Sequence, residues 1–195
     1  MEFYERQKDI PMTTNIKAAI IGAGGVGYWV AKFLAMSGVN DLVIFDDDIL
    51  EVHNLNRLDL PLSACGRNKA AVAKIVIDDI RPGAFVRSVP FKFKPEFLTE
   101  HVDIIVDCTD KIESQNFIFS HAKSKKIKYM KVGYDGTHIT ISNKTASWGA
   151  DEGGYQITPS WVVPAVVVAA MAVGSIMKYL DKEISMDISN IYRLV

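Results

Sequence analysis

The chain has 195 residues, with 22 Lys plus Arg against 23 Asp plus Glu and a formal net charge of −1. That length supports one α/β domain with a sizeable core and is too short for two full ones. The charge balance excludes a global field drawing the protein to nucleic acid or anionic lipid. Two distant cysteines, Cys65 and Cys108, exclude a disulfide framework and a four-cysteine zinc site.

The opening, "MEFYERQKDIPM", is charged and lacks an apolar signal core, so a cytoplasmic location is expected. Ile16 to Ile21 reads as a buried strand. Beyond the glycines that follow it, Val26, Val30, Phe33 and Leu34 recur at helical spacing, with Gly38 as a stop. Leu42 to Phe45 is a second strand, ending in Asp46-Asp47-Asp48, and irregular chain follows to about Gly66. A helix fits Asn68 to Arg81, with Val72, Ile75, Val76 and Ile80 on one face and Pro82-Gly83 ending it. Phe85 to Val89 is a strand, and Pro95 opens a short helix to His101.

Asp103 to Asp107 is a further buried strand, followed by a helix to about Ser124. "IKYMKVG" is a fifth strand, and "THITISN" alternates like a half-exposed one. Ser142 to Pro159 is polar and glycine-rich and reads as a loop, its glycines flanked by Trp148 and Trp161. Trp161 to Met177 is uncharged and apolar but falls short of the roughly 20 residues that span a bilayer. With Pro164 near its start, it predicts a buried helix over Trp161–Leu180 and no membrane association. "EISMDISNIYRLV" closes the chain as a two-strand hairpin. Strands alternating with helices imply an α/β fold, a parallel sheet covered on both faces, within one domain over residues 1–195.

Gly22, Gly24 and Gly27 form G-x-G-x-x-G between a strand and a helix, with Gly25 inside the motif. The first glycine permits a tight turn, the second lets backbone approach phosphate, and the third allows close helix–strand packing. The helix N-terminus favours anionic oxygens. The motif points to a nucleotide without saying which. Downstream, Asp46, Asp48, Asn54 and Arg57 follow the second strand, and Lys69 opens the next helix. Asp107 and Asp110 of "DCTD" stand at the C-terminal end of a central strand, where open α/β sheets bind ligands. A dehydrogenase does not need this set, because its pyrophosphate carries less charge and does not react. A triphosphate attacked at its α-phosphorus needs cations, for which Arg57 and Lys69 are candidates. It also needs a carboxylate for Mg²⁺, for which Asp110 is the candidate. The plain alternatives are a solvated strand end for Asp46–Asp48, surface cations for Arg57 and Lys69, and a helix N-cap for Asp110.

In this set the chain resembles the ubiquitin-activating-enzyme-like adenylyltransferases of the ThiF and MoeB type. The resemblance rests on G-x-G-G-x-G at Gly22–Gly27, D-x-D at Asp46–Asp48, N-x-x-R at Asn54–Arg57, Lys69, and D-C-T-D at Asp107–Asp110. "YERQ" with Arg6, "KVGYDGTHITI" and "SWVVPAVVVAAMAVGSIMKYL" extend it over nearly the whole chain. It implies a Rossmann-like, mostly parallel sheet with antiparallel strands toward the C-terminus. It implies that Asp46 binds ribose and that Asn54, Arg57 and Lys69 hold the triphosphate. Asp110 would hold Mg²⁺, and Arg6 would reach across a homodimer to the neighbour's phosphates. The implied reaction joins AMP from ATP to a carboxylate, typically the C-terminus of a small ubiquitin-like protein or peptide, releasing pyrophosphate.

The departures are as informative. The family's two CxxC pairs are missing, so no zinc is expected. No cysteine stands in Ser142–Pro159 to take a thioester. Lys111 and Gln115 replace the Asn and Arg that usually follow D-C-T-D. Two other readings therefore stay beside the first: a non-catalytic partner subunit, and carboxylate activation on tRNA. The near-zero net charge opposes the second of these.

Overall fold

The computed structural model describes residues 3–146, 159–178 and 184–187. Seven strands form one sheet: β1 (Lys17–Ile21), β2 (Asp41–Phe45), β3 (Phe85–Val89), β4 (Ile104–Asp107), β5 (Lys128–Asp135), β6 (His138–Ser142) and β7 (Ile184–Asp187). Their order is β3-β2-β1-β4-β5-β6-β7. The first five run parallel, whereas β6 and β7 are antiparallel to their neighbours. Four helices cover the sheet: α1 (Gly27–Met36), α2 (Lys69–Ile80), α3 (Ile112–Lys125) and α4 (Val162–Lys178). This is the α/β, Rossmann-like, mostly parallel architecture expected.

The period-2 geometry of strands sorts side chains between the two faces. Ala18 and Ile20 of β1, Leu42 and Ile44 of β2, and Ile104 and Val106 of β4 share one apolar cluster with Val30 and Leu34 of α1, Ala73 and Ile77 of α2, and Val168 and Ala172 of α4. Ala19, Ile21, Val43, Phe45 and Ile105 point the other way and pack with Ile118 and Ala122 of α3. So α1, α2 and α4 cover one face and α3 the other. α4 lies against α1, β5 and β6, which explains its apolar composition as that of a packed helix. No helix among the described residues is long and apolar enough to cross a membrane.

Several elements differ from expectation. On α2 the buried positions are Ala70, Val72, Ala73 and Ile77, while Ile75 is 46% exposed. Two alanines set this helix close to its neighbours, and their small size hid the true inward face behind the larger Ile75. The helix expected from Pro95 to His101 is a single 3₁₀ turn, Pro95–Phe97. Arg87 ends it: its guanidinium donates to the Phe97 carbonyl at 2.8 Å and pairs with both Glu100 oxygens at 2.8 and 2.7 Å. β6 is buried at Ile139, Thr140 and Ile141 rather than half-exposed, because it lies inside the sheet between β5 and β7. Of the expected C-terminal hairpin, Ile184–Asp187 pairs with β6. The hairpin's other strand, and Trp148 with most of the Ser142–Pro159 loop, lie outside the described residues.

The α2 face can be tested by truncation. Ile77→Ala should lower unfolding free energy by about 2–4 kcal/mol through the cavity left behind. Ile75→Ala should change it by less than about 0.5 kcal/mol. Urea denaturation of both variants measures this, and equal losses would refute the assigned face.

Candidate functional site

β1 and β4 are neighbours in the sheet although their connections leave in opposite directions, which opens a crevice at their C-terminal ends. The glycine loop fills the near side of this crevice. Gly22 has φ +92°, and its N–H donates to the Phe45 carbonyl at 2.8 Å. A Cβ on Gly22 would come within 3.2 Å of the Cys108 backbone. A Cβ on Gly27 would stand 1.8 Å from the Gly22 carbonyl oxygen, which no side chain can tolerate. Gly24 is different: a Cβ there would meet nothing within 4 Å, so the loop exposes backbone to an open space. Gly25 lies under Arg57, whose Cδ is 2.8 Å from where a Cβ would be.

Asp46, at the end of β2, is partly buried and holds the loop in place. One carboxylate oxygen accepts the Ala23 N–H at 2.6 Å and the other the Asp48 N–H at 2.8 Å. Burial raises its pKa, against those two hydrogen bonds and the nearby Lys69. Each oxygen keeps a second lone pair for a ligand hydroxyl. Asp48 pairs with Lys69 at 2.8 Å, which places the lysine head at the start of α2. Asn68 caps that helix, accepting from the Ala71 N–H at 3.0 Å, and its amide donates to the Asp46 carbonyl at 2.8 Å. The motif residues of β2 and α2 are therefore one bonded unit rather than a solvated strand end.

Arg57 is set across Gly25 by contacts that the sequence did not announce. Trp29 of α1 donates from its indole N–H to the Arg57 carbonyl at 2.8 Å. Asp59 accepts the Tyr28 hydroxyl at 2.6 Å and pairs with Lys32, both on α1. Burial, helped by Asp59, pushes the Tyr28 hydroxyl well above its usual range. The guanidinium donates to the His53 carbonyl at 3.2 Å and to the Asn56 side chain at 2.9 Å. Asn54 is buried, and its side-chain oxygen accepts the Glu51 N–H at 3.1 Å, shaping the turn that leads to Arg57.

The far side of the crevice is the loop after β4. Asp107 is fully buried and accepts from the Thr109 N–H at 2.9 Å, the Thr109 hydroxyl at 2.7 Å and the Tyr129 hydroxyl at 2.8 Å. It is thus a structural group, while Asp110, three residues on, is exposed. The cap position of α3 falls on Lys111 and not on Asp110. Burial pushes the Cys108 thiol up to about 12, the state of a packed, unreactive sulfur. Oxygen donors near the loop suit Mg²⁺, which is held by one or two carboxylates plus phosphates. Asp46, Asp47 and Asp48 bring oxygens within 4.8 Å of one another. Asp46 and Asp48 also bind the N–H groups and Lys69 already described, and Asp110, exposed on the facing loop, is a further carboxylate that could hold the ion.

Arg6 is not brought to this crevice within its own chain. It lies exposed in a 3₁₀ turn, Glu5–Gln7, anchored at the other end of α1. Tyr4 donates to the Ala35 carbonyl at 3.2 Å and Gln7 to the Ser37 carbonyl at 2.9 Å. The length of α1, about 15 Å, separates that anchor from the glycine loop. Trp161 donates to the Gly136 carbonyl at 3.1 Å and braces the β5–β6 turn.

A mostly parallel sheet with a glycine-rich turn at its switch point defines a nucleotide-binding, Rossmann-like protein. The chain belongs to the ThiF family, whose model matches residues 5–193. It is 33% identical over 120 residues to the molybdopterin-synthase adenylyltransferase of Haemophilus influenzae, covering 60% of this chain and 47% of that protein. It is 30% identical over 134 residues to the tRNA threonylcarbamoyladenosine dehydratase of the same organism, covering 64% of this chain and 51% of that one. The chain spans about half the length of the curated relatives it matches. The crystal structure of E. coli MccB with ATP has the same fold, with a TM-score of 0.76 at 19% identity over 89% of this chain and 63% of that one.

The loop geometry separates two glycines that look equivalent in sequence. Gly27→Ala should fail to give folded, soluble protein, because the clash at 1.8 Å is with backbone. Gly24→Ala should fold with a thermal midpoint within about 4 °C of wild type and lose nucleotide affinity about tenfold or more, through blocked approach of the phosphates. Thermal unfolding and calorimetric titration check both, and a well-folded Gly27→Ala protein would contradict the packing described.

Proposed function

We propose that this chain is an adenylyltransferase that uses ATP and Mg²⁺ to activate the C-terminal carboxylate of a small ubiquitin-like protein or peptide. The observation that carries this reading is the meeting of three charged groups at one glycine loop. Arg57 lies over Gly25, Lys69 is held by Asp48 next to the Asp46 carboxylate that binds the loop, and the Asp107–Asp110 loop abuts Gly22. Family membership supports it, and so do relatives named as adenylyltransferases. In this reading the acceptor carboxylate oxygen attacks the α-phosphorus of ATP, the bond to the β-phosphate oxygen breaks, and pyrophosphate leaves with the electron pair. Arg57 and Lys69 hold the phosphates, Asp46 accepts a ribose hydroxyl, and Asn54 orients the strip of chain that carries Arg57. Asp110 holds Mg²⁺, which offsets charge on the phosphates when bound.

The lack of a cysteine in Ser142–Pro159, together with the raised pKa of Cys108, supports a route that ends at the adenylate or passes it to a nucleophile elsewhere. Arg6, on a segment anchored at the far end of α1, about 15 Å from the glycine loop, fits a role toward a second protomer in a homodimer. A second reading, activation of a carboxylate on tRNA, is favoured by the likeness to the tRNA dehydratase. Ribonuclease treatment of the acceptor pool separates the two: exchange that survives it belongs to a protein or peptide carboxylate.

Asp110→Ala should lower ATP–pyrophosphate exchange, with the cognate acceptor present, by about a hundredfold or more while some nucleotide binding persists. Full exchange by that variant would remove Asp110 from the reaction. Replacing both Cys65 and Cys108 with Ser should leave adenylate formation largely intact, and a thiol-sensitive covalent adduct mapped to Cys65 would overturn this.

Subunit mixing tests the dimer. Arg6→Ala protomers combined with Asp110→Ala protomers place an intact Arg6 and an intact Asp110 together at one site of each mixed dimer. About half the dimers are mixed, so activity should recover to about a quarter of wild type, provided each contact is worth several kcal/mol. No recovery despite confirmed exchange of subunits would refute action across the interface.

A further inference from the structure

Lys131 is a lysine with no exposed surface, and nothing in the activity just proposed uses it. Its place follows from strand register. Lys131 of β5 pairs directly with Asp107 of β4, and both point to the face covered by α3. Its Nζ is 3.7 Å from an Asp107 carboxylate oxygen and donates to the Asp107 carbonyl at 3.2 Å and to the Thr109 carbonyl. All three partners are acceptors, which suits an ammonium. Burial draws its pKa below the ordinary lysine value, opposed by the charges of Asp107, Cys108 and Asp110.

A second side chain converges on the same loop. Gln115 of α3 is also fully buried, and its amide nitrogen donates to the Asp110 carbonyl at 3.2 Å and weakly to the Thr109 carbonyl at 3.5 Å. Its oxygen accepts the Ala146 N–H at 3.1 Å, which ties the loop to the chain leaving β6. The carbonyls of residues 107, 109 and 110 are therefore all turned inward to buried donors. A peptide whose carbonyl is fixed has its plane fixed. Holding these carbonyls inward limits the directions that the Asp110 side chain can take.

We propose that Lys131 and Gln115 are positioning residues that hold the Asp107–Asp110 loop so that Asp110 faces a metal–nucleotide complex over the glycine loop. Neither touches the nucleotide. Lys131 supplies the charge that lets Asp107 stay buried at the root of the loop, and Gln115 pins its outer end. This inference rests on the reading of Asp110 as the magnesium carboxylate.

The test compares ATP binding by calorimetry, with Mg²⁺ and with EDTA, for the wild type, Lys131→Met, Gln115→Leu and Asp110→Ala. The readout is the gain in ATP affinity that Mg²⁺ confers. In Lys131→Met and Gln115→Leu that gain should fall tenfold or more, while affinity in EDTA changes less than threefold. Amide hydrogen exchange at residues 108–111 should rise in both, with the rest of β4 still protected. A residue that serves only the fold would weaken both binding modes together or lower only the melting temperature. If Lys131→Met does not fold, Gln115→Leu and the double variant Lys131→Met with Asp107→Asn, which leaves no unpaired buried charge, carry the same measurement. An unchanged Mg²⁺ gain in the folded variants, with a lost gain in Asp110→Ala, would overturn the inference. An unchanged gain in Asp110→Ala would instead overturn the metal role of Asp110.

Discussion

The structure turns on a point where backbone meets backbone. The first turn of α1 crosses the end of β1 so closely that a methyl group on Gly27 would overlap the Gly22 carbonyl. The next strand over, β4, sends the Cys108 backbone against Gly22 from the other side. Three elements thus touch through main chain alone. Because they touch there, the amides at the start of α1, the Asp46 carboxylate at the end of β2 and the Asp110 loop at the end of β4 surround one small space. A side chain at either glycine would separate these elements and disperse the groups around that space.

Around that point the protein uses charge for placement more than for stability. The Asp107–Lys131 pair is buried, and a buried ion pair gives little net stability after desolvation. It does fix one arrangement of the loop. The pair of half-buried Lys69 and exposed Asp48 is worth little by itself, but it keeps the lysine at the head of α2. Tyr28, Lys32 and Asp59 act likewise on the chain that carries Arg57.

Much of this was legible in the sequence because backbone constraints leave marks in residue type. A glycine that must be glycine is visible at Gly22 and Gly27, and an acidic cluster after a strand is visible at Asp46. The start of α2 at Asn68–Lys69 was also legible. Other features left weaker marks. Lys131 was readable only as a lysine at an inward position of "IKYMKVG", and its partner depends on which strands are neighbours, which no local pattern states. The inward face of α2 was missed because alanine carries little hydrophobic signal while packing as closely as any residue. β6 reads as half-exposed because its period-2 pattern describes the strand alone and not the strands beside it. The bonds from Trp29 and Gln115 to carbonyls elsewhere in the chain had no sequence signal at all.

The central claim is that this crevice is built for a reactive triphosphate rather than for a dinucleotide. The glycine loop alone serves either, so the decision falls to Arg57, Lys69 and Asp110. Calorimetric titration of the wild-type protein with ATP and with NAD, both in Mg²⁺, measures the difference most directly. The account predicts saturable binding of ATP and no measurable heat from NAD at the same concentrations. Binding of NAD as tight as that of ATP would contradict it.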